Sequence, residues 1–293
     1  VKSAGIYGKN GVRALNAGEI TIGDNSAGIY VKDGGEVKNT GIIVIGANSQ
    51  GIVLKNGTGI DNSGSINSIQ SQAIGIHSED TAGKIVSSGI IQLSGDRSVG
   101  IYSKGKIEQI DNSGSIIMGD SSDEKNPSVG IYYDNTDGIT INSNVVTAGD
   151  NSLGIYNKAN TVTVNQTGAL SVGKGGTGIY TNGGTLNIGG TMFVDDAFSS
   201  AGTVKSSVGV YGSGVVNITD STTTTSIGND SFGYLLSTAG SSFTNTGGAV
   251  TLNTNGIYIH AKNSSVVNNN NITMLGRESV VLYTEGGTVI NKG

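Results

Sequence analysis

Eight of the eleven tyrosines follow a Gly-Ile or Gly-Val pair: Tyr7, Tyr30, Tyr102, Tyr132, Tyr156, Tyr180, Tyr211 and Tyr258. On the same spacing, two residues further on, stand Lys9, Lys32, Lys55, Lys104 and Lys158. Residues two apart share one face of a strand, and a lysine does not sit in a dry core. If the Ile points inward, Tyr and Lys therefore point outward together. Aromatic rings flanked by ammonium groups suit stacking on sugar faces or on an acidic glycan. The same rings can instead form a stacked ladder that covers the coil. Tyr102, Tyr132, Tyr156 and Tyr180, with Lys104 and Lys158, form the longest unbroken run and the first candidate contact surface.

Two further groups break the regular pattern. An acidic stretch at 121–126 carries Asp123 and Glu124 beside Pro127, the only proline. A second irregular stretch lies near 191–206, where Phe193, Asp195, Asp196 and Phe198 stand close together. Insertions in repeat proteins map to loops and often to the binding face. The Phe-bearing stretch is read either as a protruding recognition loop or as a lid packed over the side of the coil, and the packed form is expected, since exposed Phe is unfavourable in water.

Catalysis needs convergence that the sequence does not offer. The other carboxylates are dispersed (Asp134, Asp137, Asp220, Asp230), only three arginines occur, and His77 and His260 are far apart. Neither a metal pair nor a nucleophile triad is visible, so no enzyme activity, metal or cofactor is expected. Asp24, Asp96, Asp120 and Asp150 recur after Gly and are expected to form Asx-turns. The competing expectation is a carbohydrate-active β-helix enzyme, a polysaccharide lyase or tailspike-type glycosidase. That would require Asp134, Asp137, Asp195 and Asp196 around one groove.

The elements that must carry these residues follow from the period. The Gly of the triplet falls at Gly5, Gly28, Gly51, Gly75, Gly100, Gly130, Gly154, Gly178, Gly209, Gly233 and Gly256, and a degenerate copy ends at Tyr283. A repeat of this length is the signature of a solenoid. Each repeat holds three short alternating segments, such as Ile43/Ile45, Ala27/Ile29 and Val37, separated by Gly, Asn and Asp. The expectation is an all-β, right-handed, three-faced parallel β-helix of about 12 rungs of about 23–24 residues, one unit over 1–293. At about 4.8 Å per rung it makes a rod of roughly 55–60 Å. A recurring Asn (Asn16, Asn39, Asn62, Asn112, Asn165, Asn245, Asn291) is expected to form an internal amide ladder at a bend.

Composition agrees. Gly 49 with Pro 1, and only 13% charged residues, fit short strands and tight turns rather than helices. The net charge of −5, without a Lys/Arg block, argues against nucleic-acid binding. No apolar run approaches 18 residues, so no membrane insertion is expected. Both ends cut a repeat open, as in a piece of a longer solenoid.

The run Gly23-Asp24-Asn25-Ser26-Ala27-Gly28-Ile29-Tyr30, repeated as Gly149-Asp150-Asn151-Ser152-Leu153-Gly154-Ile155-Tyr156, resembles the passenger repeats of very large fusobacterial-type autotransporter adhesins over essentially the whole chain. The resemblance implies a secreted passenger at the bacterial cell surface, tethered to the outer membrane by a C-terminal barrel that is not in this sequence. Its partners would be host cell-surface receptors or glycans, or a partner bacterial surface. The segment would act as a monomeric rod within a longer chain. The resemblance transfers no binding residue.

Overall fold

The computed structural model describes residues 3–122, 125–200 and 202–293. Its strands stack as a parallel β-solenoid of about 12 turns, with no helix. One turn shows the plan: Ala27–Lys32, Glu36–Asn39 and Ile42–Ile45 form three faces, the tyrosine face, the asparagine face and a third face. Each strand pairs in parallel with its equivalent one rung on, as in Ile29↔Ile52, Val37↔Ile60 and Ile43↔Ile66. Like therefore stacks on like. The inward residues Ile29, Val31, Val37, Ile43 and Ile45 belong to one continuous core running along the rod.

The glycine before each inward Ile is required by distance. A Cβ at Gly28 would lie 2.6 Å from the carbonyl oxygen of Gly51 and 2.8 Å from Cγ2 of Ile43, closer than real Cβ contacts allow. At the corner before this face, Asn25, Asn48, Asn151 and Asn255 adopt φ between 51° and 56°, a region that Asn tolerates better than most residues. The serine two positions before the glycine is buried and joins rungs: the Ser49 hydroxyl donates to the Gly23 carbonyl at 2.8 Å and accepts from the Ser26 amide at 3.1 Å.

The internal amide ladder exists where Asn is uninterrupted. Asn16 donates to Asn39 and Asn39 to Asn62, both at 2.8 Å; Asn245 donates to Asn268 at 2.6 Å and Asn268 to Asn291 at 2.7 Å. Asn165 is not part of it. Gln166 is the inward residue there, while Asn165 accepts from Asn187 and donates to Asn142 in a second ladder on the outer surface.

The register also corrects the reading of Tyr258. The rung slips, so that Ile257 pairs with Phe232 and Ile259 with Tyr234, which leaves Tyr258 level with Gly233. Tyr258 is fully buried and its hydroxyl donates to Asp220. Asp220 replaces Asn in the internal ladder, pairing in register with Asn245. Its other carboxylate oxygen accepts from the amide and hydroxyl of Thr222, at 2.9 and 2.8 Å. Tyr234, Phe243 and Tyr258 pack together around this carboxylate with centroids 4.7–5.7 Å apart. Met274, two residues after Ile272 on the short strand Ile272–Met274, is 56% exposed.

Candidate functional site

The outward positions of the tyrosine face form a file. His77, Tyr102, Tyr132, Tyr156, Tyr180 and Tyr211 follow one another without a gap, with centroids 4.7–5.3 Å apart. Their positions follow from strand register: Tyr102↔Tyr132↔Tyr156↔Tyr180↔Tyr211 are direct partners in neighbouring rungs. Val53 and Leu235 interrupt the column below and above. A separate pair, Tyr7 and Tyr30, stacks at 5.7 Å. Lys9, Lys104 and Lys158 are exposed and Lys32 and Lys55 half-buried, all pointing outward.

Ring orientation changes the chemistry expected of this file. Tyr132, Tyr156 and Tyr180 are nearly parallel, with interplanar angles of 16° and 9°. Their faces cover one another, so only edges and hydroxyls meet solvent; stacking of these three on sugar faces is ruled out by their own packing. Tyr102 and Tyr211, at the two ends, tilt by 58° and 61° from the rings they adjoin. Burial within the file pushes the phenols of Tyr102, Tyr132 and Tyr156 above their usual range.

Asp134 organises the charges. It stands two residues after Tyr132, at the lysine position of its rung. Lys158 reaches it at 2.9 Å and the Tyr102 hydroxyl donates to it at 3.4 Å. Lys55 is likewise held by Glu79 at 3.5 Å and Asp80 at 3.7 Å. Asp134 stood among the dispersed carboxylates in the sequence; its two-residue spacing from Tyr132 was the signal that joins it to the stripe. The Nδ1–H of His77 donates to the side-chain oxygen of Gln50 at 3.1 Å, while Nε2 is buried without a partner among the described residues. Burial holds its imidazole below its ordinary value.

The other candidates lie elsewhere. Asp123 and Glu124 are outside the described residues. Phe193 is not part of an insert: it occupies a regular outward position of the strand Thr191–Val194, half exposed, between Ser171 and Ser226. The actual insert is an antiparallel hairpin of Phe198–Ser200 and Thr203–Lys205. It folds back over the coil. A Cβ on Gly175 would meet Cβ of Phe198 at 2.9 Å, and Lys205 donates to Asn151 at 3.2 Å.

The recurrent aspartates do not close their own turns as expected. Asp24, Asp120 and Asp150 accept from the amides of Ala47, Asp150 and Lys174 at 2.7–2.8 Å and Asp96 from the Ser121 hydroxyl at 2.8 Å and the Ser122 amide at 3.2 Å, each one rung on, and Asp196 does the same with the Asn229 amide at 2.6 Å. They are rung-to-rung staples. Asp134 and Asp137 follow the tyrosine face, whereas Asp195 and Asp196 precede it on a later turn of the coil, so the four do not share a groove. Among the described residues no three His, Asp or Glu side chains are grouped to hold a metal. Among the described residues no helix is long and apolar enough to cross a membrane. No protein-family model, curated protein or solved structure matches the chain.

Proposed function

We propose that this chain is a segment of a bacterial surface-displayed autotransporter adhesin, in which the solenoid is the rod and the tyrosine face its contact surface for cell-surface glycans or proteins. The observation that carries this reading is the unbroken file of six half-buried rings along one flat strand face. A coil needs inward apolar residues to fold; it does not need aromatic rings at the same outward position in successive rungs. Half-exposed tyrosine brings large contact area with little rotamer entropy to lose on binding. The repeat's resemblance to fusobacterial-type passengers supplies the cellular setting. The dispersed carboxylates give no support to a glycosidase or lyase.

The test is binding of the purified chain to intact bacterial and host cells and to a glycan panel, beside a variant in which 198–205 is replaced by a short Gly-Ser turn. Binding by both places contact on the coil face. Binding lost only in the variant moves contact to the hairpin. No binding by either sinks the adhesive reading and leaves a spacer.

A further inference from the structure

Three observations on the tyrosine face narrow its ligand, and the inference rests on the adhesive reading above. First, the parallel inner rings turn hydroxyls rather than faces to solvent. Tyr102 donates to Asp134, whereas the phenols of Tyr132, Tyr156, Tyr180 and Tyr211 make no hydrogen bond to other described residues. They form a row of donors and acceptors open to a partner. Second, the charges beside the row are largely matched. Lys158 is paired with Asp134, and Lys55 with Glu79 and Asp80, on a chain of net charge −5. A polyanion needs a surplus of positive charge, and beside the row only Lys104, next to Tyr102, has no carboxylate contact among the described residues. Third, the row repeats once per rung, with centroids 4.7–5.3 Å apart, close to the advance of one pyranose unit in an extended chain.

We propose that Tyr102, Tyr132, Tyr156, Tyr180 and Tyr211 form a track for a linear, uncharged polysaccharide lying along the rod axis, one sugar per rung. The inner phenols exchange hydrogen bonds with sugar hydroxyls edge-on. Tyr102, which borders His77 on its other side, and Tyr211 are tilted against the parallel rings and flank them at either end of the tyrosine row. Because each rung adds a similar contact, affinity should rise by about 2- to 10-fold per added sugar until the track is filled.

The experiment is calorimetric titration of the chain with neutral β-1,4-linked hexose oligomers, from disaccharide to heptasaccharide. A sulfated oligosaccharide of matched length is the comparator. A triple variant, Tyr132→Phe with Tyr156→Phe and Tyr180→Phe, keeps the rings and removes only the hydroxyls, and its circular dichroism and melting point check that the stack survives. The expected result is affinity that climbs with length, levels off near five sugars, changes little with salt, and falls at least about tenfold in the triple variant. Length-independent affinity, tighter and salt-sensitive binding of the sulfated oligomer, or undiminished binding by the folded triple variant would each overturn the track. If the triple variant still adheres to cells as the parent does, the adhesive reading stands and the track alone fails. If the parent binds neither cells nor any oligosaccharide, both fail.

Discussion

At the scale of the residue, the fold is set by distances that leave no room for a side chain. A Cβ at Gly100 would lie 2.5 Å from the Gly130 carbonyl oxygen and 2.9 Å from Cγ2 of Ile116, so Gly100→Ala should lower stability by roughly 1–3 kcal/mol through overpacking. Chemical denaturation reads this directly; an unchanged midpoint would mean that the rungs can slide apart freely. Tyr258 shows the alternative, a column position that does accept a ring because Asp220 takes its hydroxyl and Tyr234 packs edge-on against it. That exception was hidden in the sequence, since Gly256-Ile257-Tyr258 matches the triplet locally and only the register reveals the slip. His77 offers a second test. Burial lowers its folded-state pKa from 6.5, against a raising contribution from Glu79 and lowering ones from Lys104 and Lys55. The unfolded chain therefore takes up the proton first. This group leaves stability unchanged well above pH 6.5, and acidification through that value towards the depressed folded pKa removes stability. His77→Phe keeps a ring against Tyr102 and abolishes the titration. Thermal melts between neutral pH and about pH 5 should show a larger loss in the parent than in the variant; parallel losses would clear His77 of any part in acid sensitivity.

At the scale of the element, alternation was legible and the identity of a single residue was the poorer guide. In Val37-Lys38-Asn39 and Ile110-Asp111-Asn112 the internal amide stands two residues after the inward aliphatic. Applied to Val164-Asn165-Gln166, the same parity selects Gln166, as the structure has it. Following the recurring Asn instead picked the outer ladder. The ladder also has gaps, and they make a prediction. Asn112 pairs in register with Ser87 on one side and Ser143 on the other, and both of its amide atoms, with the Ser143 hydroxyl, are buried without partners. A serine reaches an amide one rung away less closely, as Asn62 to Ser87 at 3.3 Å, and neither Ser87 nor Ser143 reaches Asn112, whereas Asn–Asn steps close at 2.8 Å. Ser143→Asn should therefore raise stability by about 1 kcal/mol as the amides pair. A lower melting point would mean that the register shift between Asn112 and Ser115 has carried this column out of stacking reach.

At the scale of the whole molecule, the period made the solenoid legible before any contact was known, because a three-strand turn cannot bury its inner face alone and must stack. The inserts were harder to place. Phe193 and Met192 continue the regular alternation of Thr191–Val194, and a break in spacing between successive glycines says how many residues are extra without saying which. Stacking has a mechanical consequence as well: each rung touches mainly its neighbours, so stability should be distributed in nearest-neighbour steps rather than held by one global core. Ile155 is the place to test it. It is fully buried between Ile131 and Ile179 in the adjoining rungs. Ile155→Asp removes that packing and puts a carboxylate in an apolar core, at a cost on the order of 4 kcal/mol. Hydrogen exchange on the folded variant should then show lost protection in the strands Val129–Tyr133, Leu153–Asn157 and Thr177–Thr181, while Ile42–Ile45 and Ser65–Ser68 keep theirs. Such a pattern would mean that neighbouring rungs can be damaged while the rest of the rod, and any contact surface it carries, stays in place. Uniform loss along the chain would instead make the rod one cooperative unit, in which damage to any rung disables every part of the tyrosine face together.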